Sequence, residues 1–137
     1  MNKLIVGVVL LLVAFSAGFL PQYAKGKRLE RELGEARQEN GLAQLRDLAG
    51  LAYLQASQKD YGLAAGTSTR LFVRTREVAN QTPDPSGRKP LEDLLSVRDQ
   101  ITAKLANGDP GVLNDLQALL VKTRQATAIS SGVPQTE

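Results

Sequence analysis

Residues 90–123 read PLEDLLSVRDQITAKLANGDPGVLNDLQALLVKT. Leu91, Leu94, Leu95, Ile101 and Leu105 recur at the three- and four-residue spacing of one helical face, with charged and amide side chains between them. Pro90 suits the first turn of that helix, where a missing N–H costs nothing, and Glu92 and Asp93 beside it favour the positive end of the helix dipole. Asn107 and Gly108 end the pattern, and Asp109 and Pro110 restart it as N-cap and first-turn residue. Val112, Leu113, Leu116, Leu119, Leu120 and Thr123 then form a second apolar stripe. Two amphipathic helices joined by so short a turn bury their stripes against each other, so this stretch decides for an antiparallel helical hairpin.

Upstream of it, NQTPDPSGRK (80–89) reads as a loop, with two prolines, a glycine and polar fillers. A helix is expected before the loop, from about Gly62 to Asn80, capped by Asp60. Leu63, Thr67, Leu71, Thr75 and Val78 make its inner face, with Ala64 and Phe72 beside it. Further back, Arg28 to about Lys59 reads as one long helix. Its second half carries Leu42, Leu45, Ala49, Ala52 and Ala56, a stripe whose small residues admit a close neighbour. Its first half carries a different seam: Leu29, Leu33, Ala36, Asn40 and Ala43 follow a heptad spacing until Asp47 breaks it. Gly34, Gly41 and Gly50 each weaken this helix by about 1 kcal/mol relative to Ala, which close helix approach or plain tolerance would explain.

Residues 4–20, LIVGVVLLLVAFSAGFL, are uncharged. Extended to Tyr23, the run reaches about 20 residues, roughly 30 Å as a helix, one hydrocarbon thickness. Pro21 can kink or end that helix, and Tyr23 suits the headgroup boundary. A cleaved signal peptide is the rival reading, on the basic start MNK, the apolar run and the small residues Ala14, Ser16, Ala17 and Gly18. An uncleaved anchor is preferred, because the apolar run continues through Phe19 and Leu20 and helix-forming sequence follows at once. Lys25, Lys27, Arg28 and Arg31 follow the span, against Lys3 before it, which favours a cytoplasmic C-terminal part; the signal-like start argues for the outer side. On the cytoplasmic reading these four cations meet anionic headgroups, at about 1 kcal/mol each.

No segment alternates with a strand period. The expected fold is therefore all-α: a single N-terminal transmembrane helix or signal peptide (1–23), a coiled-coil-like stalk (24–43), an antiparallel bundle of about four helices (44–128) and a disordered tail (129–137).

Composition narrows the function. The 137 residues hold 17 Lys and Arg against 14 Asp and Glu, a net charge of +3, with no basic cluster beyond residue 31 and only 4% aromatics, so nucleic acid is not an expected partner. The chain has no Cys and no His, which removes thiol nucleophiles, disulfides, the commonest zinc ligands and the usual proton-transfer side chain. Glu92 and Asp93 are adjacent on a helix and do not face one another, so dipole compensation explains them better than a metal or acid/base pair. Ser57 opens SQKD, which lacks the lysine of a Ser-x-x-Lys nucleophile, and no nucleotide-binding fingerprint occurs. Lys59, Arg70, Arg74 and Arg76 form either a basic face for an anion or a solvated face paired with Glu77. No cofactor and no catalysis are expected. The expected function is that of a membrane-anchored helical interaction or scaffold protein, with membrane lipids at Tyr23, Lys25, Lys27, Arg28 and Arg31, and a second copy or another helix on the Leu29–Ala43 seam. The alternative is a secreted or periplasmic helical module released by signal cleavage.

The stretch LAGLAYLQASQKDYGLAAGTSTRLF (48–72) resembles a tetratricopeptide-type helical hairpin, through Gly50 and Tyr53 in AGLAY and Tyr61 and Ala64 in DYGLA. Its turn is about two residues longer than the motif's, Arg46 stands where a large aromatic is typical, and such arrays need about three repeats. The resemblance implies helix packing and a partner groove rather than catalysis.

Overall fold

A computed structural model describes the backbone of residues 2–132 and the side chains of residues 2–9 and 25–132. Five α-helices follow in order: α1 (Asn2–Ser57), α2 (Tyr61–Gln81), α3 (Pro85–Leu94), α4 (Arg98–Ala106) and α5 (Val112–Ser130), with a short 3₁₀ turn, Leu95–Val97, between α3 and α4. No strand occurs among the described residues. The protein is all-α.

The chain divides into two compact units, Met1–Arg37 and Gln38–Glu137. In the first, α1 starts at Asn2 rather than near Arg28 and stays helical through Pro21. Among the described residues no helix is long and apolar enough to cross a membrane. The side chains of residues 10–24, which make up most of the expected anchor and include Tyr23, lie outside the described residues.

The second unit is a four-sided bundle formed by the C-terminal part of α1, by α2, by α3 and α4 as one bent side, and by α5. Leu42, Leu45, Ala49, Ala52 and Ala56 of α1 are all buried. They meet Ala64, Leu71, Phe72 and Val78 of α2, Leu91, Leu94, Ile101 and Leu105 of α3 and α4, and Val112, Leu116 and Leu119 of α5 in one core. Gly41 sits so close to α2 that an added Cβ would lie 3.0 Å from Val78 Cγ2, so here glycine serves close helix approach. Gly34 and Gly50 face open space. At one end of the bundle Ser130 Oγ donates to the Gly87 carbonyl (2.6 Å); at the other, Tyr61 lies beside Gly108. Successive sides therefore run antiparallel.

The turns follow from backbone hydrogen bonding. After α1, the N–H groups of Lys59 and Asp60 donate to the carbonyls of Ala56 and Gln55, and Lys59 takes φ 63°. After α4, Gly108 and Asp109 donate to Leu105 and Lys104 in the same way, with Gly108 at φ 62°. Both are Schellman ends, which require a left-handed residue after the helix. Asp60 caps α2 by accepting from the Leu63 N–H at 3.2 Å. Asp109 leads into α5 through a turn, its carboxylate accepting from the Gly111 N–H at 2.8 Å, and the helix itself starts at Val112.

Five expectations need correction. The loop expected over 80–89 shrinks to the residues between Gln81 and Pro85, because the Asp84 carboxylate caps α3 by accepting from the Ser86 N–H and hydroxyl. Pro90 consequently lies inside α3 instead of opening it. Glu92 and Asp93 stand in its last turns, where the dipole disfavours acids, and pair with Arg88 (3.7 Å) and Lys89 (3.6 Å) one turn back. Leu63 is 59% exposed. Finally, α5 continues to Ser130, into the stretch read as a tail; residues 133–137 of that stretch lie outside the described residues.

The bundle interior also holds hydroxyls. Thr75, Thr82 and Thr123 are buried, and each donates to the carbonyl four residues back at 2.7–2.8 Å, which satisfies it without a partner from another helix. Thr67 donates to Gln55 Oε1 at 2.7 Å, tying α2 to α1.

Candidate functional site

The membrane-interface and seam residues singled out in the sequence lie on α1. Lys25, Lys27, Arg28 and Arg31 are exposed, with Arg28 3.3 Å from Glu32 one turn on. Leu29 (58%) and Leu33 (53%) are exposed large apolar side chains one turn apart, followed by exposed Ala36. These seam members belong to the first unit; Asn40, exposed, and Ala43, half-buried, belong to the second.

The basic side chains around α2 do not form one face. Arg74 is held by Glu77 (2.8 Å) and by Gln44 of α1 (3.0 Å), while Arg70 donates to Thr67 (3.3 Å). Lys59 belongs to the turn after α1. Arg76 has no ion pair or hydrogen bond among the described residues.

What the sequence reading missed is a cleft of about 480 Å³ between α2 and α4. Phe72 and Val73 supply its apolar lining, and Thr69, Asn80 and Arg76 continue it along α2. Arg98, Asp99 and Thr102 of α4 face them. Phe72 is almost wholly buried and anchored in the core, whereas Val73 is 57% exposed. The two acids that line the cleft are each engaged: Glu77 by Arg74, and Asp99 by Arg98 Nε at 2.9 Å. On the other flank of α2, Val73 also lines a shallower groove of about 300 Å³ shared with Gln44 and Leu48 of α1. The only hint of the cleft in the sequence is that Val73 and Arg76 lie off the buried stripe of α2.

Near the far end of α4, Lys104 Nζ and Asp115 Oδ2 of α5 stand 2.6 Å apart, both half-buried, and Gln100 donates to the other carboxylate oxygen at 3.3 Å. This hydrogen bond raises the Lys104 pKa above the ordinary lysine range. The hydrogen bonds from Ser86 lower that of the capping Asp84. Among the described residues no three metal-ligating side chains come together.

The tetratricopeptide resemblance gains no support from this geometry. A side chain at Gly50, one of its carriers, would meet no neighbour within 4 Å of its Cβ, and the α1–α2 pair closes into a bundle with α3, α4 and α5. No family model, curated protein or solved structure matches the chain.

Proposed function

We infer that this chain is a membrane-anchored helical interaction protein without catalytic chemistry, which brings a second copy or a partner helix alongside its N-terminal helix. The supporting observation is the order of residues along α1: an uncharged run over 4–20, four cations at 25–31, and within the same turns the exposed pair Leu29 and Leu33. Two large apolar side chains one turn apart on an otherwise charged helix find their burial in a partner. Two heptads make a weak coiled coil in water, and confinement by a shared membrane raises the effective concentration enough to compensate. The positive count after the run favours the cytoplasmic side for the bundle. A second reading, a periplasmic or secreted module released by cleavage, is favoured by the small residues Ala14, Ser16, Ala17 and Gly18.

The chain has no native cysteine, so single replacements make clean probes. Under oxidation in native membranes, Leu33→Cys and Ala36→Cys should crosslink to a dimer or a partner, and Glu35→Cys and Gln38→Cys should not. Equal crosslinking at all four positions, or at none, would remove the seam as an interface. Loss of the protein from membranes on alkaline washing would favour the released module.

A further inference from the structure

We propose that the cleft between α2 and α4 binds a small amphipathic anion, with a carboxylate or sulfonate head on Arg76 and an apolar body against Phe72 and Val73. The volume, about 480 Å³, lies within the roughly 300–1,000 Å³ range of small-molecule sites. Its lining is mixed: Phe72 and Val73 form the apolar part, and Thr69, Asn80, Thr102 and four charged side chains surround it. The charge pattern selects the ligand. Glu77 and Asp99 each stand beside an arginine, Arg74 and Arg98, which lessens their pull on a cation. Arg76 is unmatched among the described residues, and a guanidinium beside an apolar wall complements a carboxylate or sulfonate carried on an apolar body. Asp99 opposes this ligand twice, by its own charge and by occupying Arg98. The site is independent of membrane anchoring, since every residue in it belongs to the C-terminal unit.

The test uses the full-length chain, isotope-labelled, in lipid nanodiscs, titrated with naphthalenesulfonate and with the neutral naphthalenesulfonamide of nearly the same shape. The sulfonate should give saturable amide shifts centred on Phe72, Val73, Arg76 and Thr102, and the sulfonamide should bind about tenfold more weakly, the scale of one charge-assisted hydrogen bond. Arg76→Gln should weaken the sulfonate by about tenfold, and Asp99→Asn should tighten it several-fold by freeing Arg98. Val73→Asp, at an exposed position that leaves the core intact, should abolish saturation. Lys122→Gln, an equal charge loss on the exposed side of α5, should change nothing. The proposal is overturned if the two probes bind alike, if Arg76→Gln and Asp99→Asn leave the affinity unchanged, or if the shifts fail to saturate.

Discussion

Small differences in local space decide how single residues behave here. Gly41 and Gly50 occupy the same helix, and each costs it about 1 kcal/mol relative to Ala. Gly50 has open space where a Cβ would go, so Gly50→Ala should raise stability by about that amount. At Gly41 the same methyl would meet Val78 Cγ2 at 3.0 Å, so Gly41→Ala should recover less or destabilise. Thermal melts of the two variants test this, and equal gains would show that α2 yields freely at Val78. Ser68 is another residue whose surroundings matter more than its identity. It is buried on α2, and its hydroxyl has no hydrogen-bond partner among the described residues.

Between elements, the ion pair of Lys104 and Asp115 clamps α4 to α5. Because the folded state raises the lysine pKa, folding favours the protonated form. The pair's contribution is therefore complete below the ordinary lysine pKa of about 10.4 and is lost as pH rises through the higher folded value. Melting midpoints followed upward from about pH 9 should fall more steeply for the wild type than for Asp115→Asn. Parallel curves would mean that the pair adds nothing to stability. The bend between α3 and α4 has a local character of its own. Helical periodicity carries through Leu94, Leu95 and Ile101, yet the backbone tightens into a 3₁₀ turn over Leu95–Val97. Tightening re-phases the stripe, and Leu91, Leu94, Ile101 and Leu105 all stay buried across it.

For the molecule as a whole, the four sides share one core, so damage on α5 is felt everywhere. Leu116 is 1% exposed and belongs to that core. Leu116→Ala should cost about 2–5 kcal/mol, a large share of the roughly 5–15 kcal/mol that holds a domain folded. The full chain should then melt at a clearly lower temperature by circular dichroism. An unchanged midpoint would show that α5 packs otherwise.

The sequence by itself determined that the protein is helical, where three of the four sides of the bundle run and which side chains most of them bury. Those properties depend on neighbours three and four residues apart: Leu42 to Ala56 on α1 and Val112 to Thr123 on α5 show their periodicity without reference to any other helix. The caps at Asp60 and the stop at Gly108 are local in the same sense. Tertiary structure decided the rest. A row of residues four apart drifts about 40° around a helix at each step, so only packing shows which end of the row leaves the buried face; on α2 it is Leu63. Two prolines and a glycine in 80–89 read as a loop, yet Asp84 and Ser86 start a helix there, and contact with Ser130 from the far end of the chain holds Gly87 in place. The cleft depends on long-range packing most of all. Val73 and Arg76 are ordinary exposed residues until α4 lies beside them, and no spacing within α2 encodes that neighbour.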